Sequence, residues 1–134
     1  MSDLIAKIKE IYAAFGRGDI AAIIARMADD VSWEFEAPPE ISWAGIRRGP
    51  KEASGFFTGI ANEHADPKLE MAEFLASGDA VAVFGRYAAT VRATGVRVDT
   101  PVGHYFKFRD GKIVRYVNFV NTGAFLEAAR ARRR

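Results

Sequence analysis

The chain has 134 residues, 49% hydrophobic and 27% charged, the composition of one globular domain with a single sizeable core. It has no cysteine, which excludes disulfides, thiol catalysis and thiolate metal sites, and its two histidines have no ligand spacing, so neither a metal nor an organic cofactor is expected. The net charge of +2 does not mark a nucleic-acid binder: Arg130, Arg132, Arg133 and Arg134 carry four positive charges and the rest of the chain sums to −2 (2 − 4), whereas nucleic-acid binding needs a basic patch on a folded face. No apolar run is long enough to span a bilayer. The N-terminal MSDLIAKIKEIY has acidic residues and no apolar signal core. A cytoplasmic protein without a membrane partner is expected, one domain over 1–134 with 130–134 a solvated basic tail on a helix end.

In chain order, Leu4, Ile5, Ile8, Ile11, Tyr12 and Phe15 recur at helical spacing, and Gly16-Arg17-Gly18 ends that helix. Asp19 is placed to cap a second helix with Ile20, Ile23, Ile24 and Met27 inward. Residues 31–35, VSWEF, alternate as a short strand, and a loop containing Trp43 and Arg47-Arg48-Gly49 follows. Pro50 suits the first position of a third helix, whose apolar stripe is Ala53, Phe56, Phe57 and Ile60, with His64 on the surface near its end. The second half predicts strands over about 67–76, 79–92, 97–109 and 112–121, turning at Ser77-Gly78-Asp79, Thr94-Gly95 and Arg109-Asp110-Gly111. Thr122 is expected to cap a closing helix with Phe125, Leu126 and Ala129 inward. Helices followed by an antiparallel meander define an α+β fold with helices packed on one face of a curved sheet.

The last hairpin decides where the polar residues point, because a one-residue slip turns every side chain over. A two-residue Asp110-Gly111 loop pairs Arg109 with Lys112 and sets Arg115 among the phenylalanines. An unpaired charge there costs several kcal/mol. A three-residue loop pairs Phe108 with Lys112 and leaves Val102, His104, Phe106, Phe108, Val114, Tyr116, Asn118 and Val120 on one face without a fixed charge. Charge segregation favours the three-residue loop, with His104 opposite Tyr116 and one diagonal step from Asn118. The other face then holds Tyr105, Ile113, Val117 and Phe119 between its charges, more apolar surface than a monomer usually shows. Trp33, Phe35 and Tyr87 join the covered face, and aromatics with a few polar groups are the composition of a small-molecule pocket.

The GRGD break, MADDVSWEF, GIRRGP and FRDGKIVRY together resemble the nuclear transport factor 2-like superfamily in its SnoaL-like branch, which includes polyketide cyclases and is related to ketosteroid isomerases and limonene epoxide hydrolases. The resemblance spans nearly the whole chain. It implies a cone-shaped curved antiparallel sheet wrapped by N-terminal helices, of the cystatin-like kind, and a homodimer paired through the outer sheet face. By the same resemblance, His104 stands where the cyclases keep a pocket histidine and the isomerases a protonated aspartate. Asn118 stands where cyclases and epoxide hydrolases place a catalytic aspartate. Phe35 replaces the isomerase base, and Tyr87 and Ala89 replace an arginine and an aspartate of the epoxide hydrolases. In the isomerases an aspartate moves the proton while a neutral acid holds the enolate oxygen; an amide such as Asn118 only donates and accepts hydrogen bonds.

The candidate catalytic residues are therefore His104, the one group here that ordinarily titrates near neutrality, and Asn118. Tyr116, Tyr87, Trp33, Phe35, Phe106 and Trp43 are the candidate substrate-binding residues, Trp43 as a lid or a plug. Arg47 and Arg48 read as solvated loop residues, and Glu34 and Glu36 face water. The expected function is binding of a small, mostly apolar carbonyl compound, with an isomerase- or cyclase-type proton transfer through His104. A non-catalytic binding or dimerisation domain of the same fold is the alternative.

Overall fold

A computed structural model describes residues 2–131; Arg132, Arg133 and Arg134 of the expected tail lie outside the described residues. The N-terminal apolar stripe forms helix α1 (Ser2–Gly16), and Asp19 caps the short α2 (Ile20–Ile24), its side chain accepting from the Ala22 backbone N–H. Met27, expected on that second helix, instead opens strand β1 (Met27–Phe35). Its side chain is buried all the same, because Met27 pairs with Ile113 across the sheet. Arg47 and Arg48, expected in a loop, form strand β2 (Gly45–Arg48) against β1. Helix α3 (Gly49–Glu63) carries Pro50 in its first turn and buries Ala53, Phe56, Phe57 and Ile60, the stripe expected of it.

The remaining strands are β3 (His64–Ser77), β4 (Ala80–Val91), β5 (Arg97–Arg109) and β6 (Lys112–Val120), closed by helix α4 (Thr122–Arg130). The cap of α4 is Asn121 rather than Thr122: the Asn121 side chain accepts from the Ala124 N–H. Phe125 and Ala128 are its buried residues; Ala129 is exposed and Leu126 half-buried. Arg130, read from sequence as solvated tail, belongs to α4 and is ion-paired with Glu40.

The six strands make one sheet in the order β2-β1-β6-β5-β4-β3. All pairings are antiparallel except β1 on β6, which run parallel, a pairing not expected from the sequence. Register shifts interrupt β1–β6, β3–β4 and β5–β6, and such bulges bend and twist a strand locally. The sheet curls, and its concave face packs Trp33, Phe35, Val81, Val83 and Phe106 against Ile8, Ile11 and the stripe of α3 in one core. Truncating a buried phenylalanine such as Phe106 to alanine is worth about 3–5 kcal/mol. No helix among the described residues is long and apolar enough to cross a membrane.

The final hairpin departs from the expected three-residue loop. Asp110 and Gly111 alone form the turn, with φ of 52° and 79°, the backbone of a type I′ turn. Arg109 pairs with Lys112 and Phe108 with Ile113, so Phe108 does not pair with Lys112. Ile113, expected on the outer face, is fully buried. A bulge at Val114 then shifts the register, and beyond it Lys107 pairs with Arg115, Phe106 with Tyr116 and His104 with Asn118. The bulge keeps Arg115 outside, where it bridges to Glu34 at 2.8 Å, and sets His104 and Asn118 directly opposite each other rather than on a diagonal.

Candidate functional site: an uncharged aromatic cone

Inward-facing positions of the curled sheet and residues of all four helices enclose a cavity of about 50 Å³. The sheet contributes Trp33, Tyr87, His104, Phe106, Tyr116 and Asn118, and the helices contribute Tyr12, Phe15, Phe56, Phe57 and Phe125 among others. Trp33 and Tyr116 are Cα partners on the parallel pair and stack with ring centroids 3.8 Å apart. Tyr116 in turn lies 5.1 Å from His104 and 5.2 Å from Phe106, centroid to centroid. A buried aromatic group of this kind holds its rings in fixed relative orientations.

His104 is 5% exposed. Its Nδ1 shares a hydrogen bond of 2.8 Å with the hydroxyl of Tyr12, 92 residues earlier on α1. Burial strips water from the charged imidazolium and lowers the histidine pKa from 6.5 to about 3. The same burial drives the hydroxyls of Tyr12, Tyr87 and Tyr116 above their ordinary range. Among the described residues, no Asp, Glu, Lys or Arg lines the cavity. At neutral pH every titratable lining group is therefore in its uncharged form.

His64, expected on the surface, is 3% exposed. Helix α3 runs straight into β3 at this residue without a loop, so His64 takes an inward strand position opposite Val91. Its Nδ1 shares a 2.7 Å hydrogen bond with the Tyr87 hydroxyl, and its ring packs edge-on against Trp43 and Phe125. Burial lowers its pKa to about 4. Both histidines of the chain are thus buried, neutral and joined to a tyrosine.

Of the expected site residues, His104, Asn118, Tyr116, Tyr87, Trp33, Phe106 and Trp43 all line the one cavity. Phe35 does not: it is 1% exposed and lies behind the lining, packed on Trp43 and Phe56. Trp43 is buried, its backbone and Cβ seated against Gly59 of α3. Arg47 and Arg48 lie away from the cavity; Arg47 leans over Gly55 and donates to the Glu52 carbonyl. Glu34 is mostly covered by its ion pair with Arg115, while Glu36 is exposed. Sequence reasoning missed Tyr12 and His64. Tyr12 stood in the apolar stripe of the first helix, and the signal that marks it is chemical: a tyrosine on a buried face needs a partner for its hydroxyl.

A sheet curled into a cone, wrapped on one face by helices and lined by uncharged aromatics, is the nuclear transport factor 2-like architecture. The chain belongs to the SnoaL-like domain family, whose model matches residues 8–116, a span that takes in His104 and Tyr116 and stops just before Asn118. Among solved structures it is similar to a nuclear transport factor 2-like protein of unknown function from Burkholderia pseudomallei K96243, 25% identical, with 98% of this chain and 100% of that one covered and a TM-score of 0.91. It is similar to TerC, crystallised with polyporic acid, at 28% identity over 96% of this chain and 99% of that one, TM-score 0.88. A protein from Jannaschia sp. CCS1 with the provisional name SnoaL-like polyketide cyclase shares the fold, at 16% identity over 97% and 93% of the two chains and a TM-score of 0.85. No curated protein matches the chain.

Proposed function

We propose that the chain binds a small, uncharged, mostly apolar carbonyl compound in the cone. The observation that carries this reading is the lining: aromatic and aliphatic, with its polar groups all neutral and, among the described residues, no charged side chain to balance an ionised ligand. Burying an unpaired charge in such a site is strongly unfavourable, so neutral compounds are selected. The co-crystallisation of TerC with polyporic acid supports an organic ligand. The space is small, and the half-buried Tyr12 and Phe15 of α1 form part of its wall. Calorimetric titration with a panel of cyclic and aryl ketones, each beside its carboxylate counterpart, tests the reading. Saturable binding of neutral members and none of the carboxylates is expected; no binding of any neutral compound overturns it.

A second reading is proton transfer of the isomerase or cyclase type, with His104 as base and Asn118 and Tyr116 orienting the carbonyl. Its support is that His104 is present as the free base at neutral pH. Against it, a base with so low a pKa is weak, since general-base work is most efficient near the operating pH. Turnover of any panel member that His104→Ala abolishes, with a loss of ~10² or more, would establish the enzyme. Turnover by the native protein that survives His104→Ala assigns the proton to another group.

We also propose that the chain pairs with a second copy through the outer sheet face. Phe84, Gly103 and Phe119 form one row across β4, β5 and β6, and the two phenylalanines are 47% and 61% exposed. Tyr105 and Val117 occupy the next row. The charges around this patch are engaged within the chain, Arg86 with Asp99, Lys107 with Asp79 and Arg115 with Glu34, which leaves a neutral apolar centre suited to a like surface.

A further inference from the structure

Three side-chain atoms among the described residues are buried without a hydrogen-bond partner: Trp33 Nε1, Asn118 Oδ1 and Arg47 Nε. Arg47 lies outside the cavity, but Trp33 and Asn118 both line it. Folded proteins leave few such atoms unmatched, and each costs the desolvation of its group. Trp33 is 2% exposed, and its indole nitrogen can only donate. The carbonyl oxygen of the Asn118 amide can only accept and is the unused acceptor. The two orphans are neighbours in the sheet: the indole stacks on Tyr116, and Asn118 is the next inward residue of β6 after Tyr116.

We propose that Trp33 and Asn118 read two polar groups of one ligand, a carbonyl oxygen received by the Trp33 indole N–H and a hydroxyl donated to Asn118 Oδ1. The substrate class is therefore an uncharged hydroxy-carbonyl compound with an apolar remainder. This rests on the ligand-binding reading above and narrows it. An indole N–H selects an acceptor, and a carbonyl oxygen is the acceptor that carries no charge and no competing proton. Oδ1 selects a donor, and an alkylamine is unsuited because it is a cation at neutral pH and the lining holds no anion among the described residues. Trp33 thus becomes a specificity-determining residue rather than a wall.

The test is calorimetric titration near neutral pH with three small probes: 3′-hydroxyacetophenone, 3′-methoxyacetophenone, which lacks the donor, and 3-ethylphenol, which lacks the carbonyl. The hydroxyketone should bind tightest, with each analogue weaker by about tenfold or more, because a buried partner is then left unpaired. Trp33→Phe should bring the hydroxyketone down to the level of the ethylphenol, and Asn118→Leu to that of the methoxyketone. Equal affinities for the three probes overturn the inference and leave the ligand-binding reading standing. Absence of binding for all three overturns the inference, and the ligand-binding reading with it if the ketone panel fails as well. Should Trp33→Phe not fold, the indole N–H resonance carries the test in the native protein. There are two tryptophans, so Trp43→Phe assigns the Trp33 signal. It should move downfield with both ketones and not with the ethylphenol, and no movement with either ketone overturns the inference.

Discussion

His64 and His104 tie the stability of the protein to pH in a direction that follows from their burial. Each ring is enclosed by uncharged neighbours, Trp43, Tyr87 and Phe125 for His64, and Tyr12, Phe106 and Tyr116 for His104. Their folded-state pKa values lie at about 4 and about 3, below the ordinary 6.5. Below pH 6.5 the unfolded chain takes up protons that the folded chain refuses, so stability falls as the pH falls and is flat above about pH 7. A tenfold difference in proton affinity between the folded and unfolded chain corresponds to about 1.4 kcal/mol, and the loss by pH 4 should reach several kcal/mol. Thermal midpoints measured from pH 7.5 down to 4.5 should fall, and His64→Gln should remove part of that slope. A midpoint independent of pH over this range would show that the rings are not held neutral. At this scale the sequence was legible for the placement of His104, which alternation put on the covered face where it is found. It was not legible for Tyr12 or His64: a partner 92 residues away leaves no local pattern, and a helix that passes into a strand without a breaker hides which rule governs the junction.

In the β5–β6 hairpin two sound sequence rules conflict. Asp-Gly demands a two-residue turn, and charge segregation demands a register that such a turn does not produce. The chain satisfies both by inserting Val114 as a bulge, and nothing in the sequence marks that position, because a bulge is set by how the neighbouring strands pair. The faces of His104, Tyr116 and Asn118 were legible even so, since period-two alternation survives on each side of the bulge. The backbone makes two graded demands on glycine nearby. Gly111→Ala places a side chain at φ 79° with only an ordinary contact to Lys7 Cε at 3.9 Å, and should cost about 1 kcal/mol. Gly85→Ala should cost more, because a Cβ there would come 2.1 Å from the Glu70 carbonyl oxygen and 2.6 Å from Met71 Cα, backbone atoms that cannot step aside. Urea unfolding of the two variants should rank them in that order.

For the molecule as a whole, the helical stripes and strand alternation made the helices packed on one face of a curved sheet readable, because burial on one face leaves a period that sequence retains, while the cone followed from the family resemblance. The volume left inside was not readable, being the small difference between the space the sheet encloses and the side chains that fill it. The outer face carries the assembly prediction. The native protein should sediment as a dimer, and Phe119→Asp or Val117→Asp should shift it to a monomer while preserving the far-ultraviolet circular dichroism. A mass unchanged by both substitutions places any self-association elsewhere.

The parallel seam between β1 and β6 also sets a timetable. Glu34 and Arg115, which bridge it, are 81 residues apart, so the seam is a long-range contact that cannot form until β6 has been made. Loop closure has to be met before such pairing gives any return, which makes folding slow. During synthesis at roughly 5–20 residues per second, β1 waits on the order of several seconds outside the ribosome for its neighbour. Through that interval Trp33 and Phe35 have only β2 and α3 to cover them. Nascent chains arrested before Lys112 should be open to protease across β1, and chains released past Val120 should be resistant.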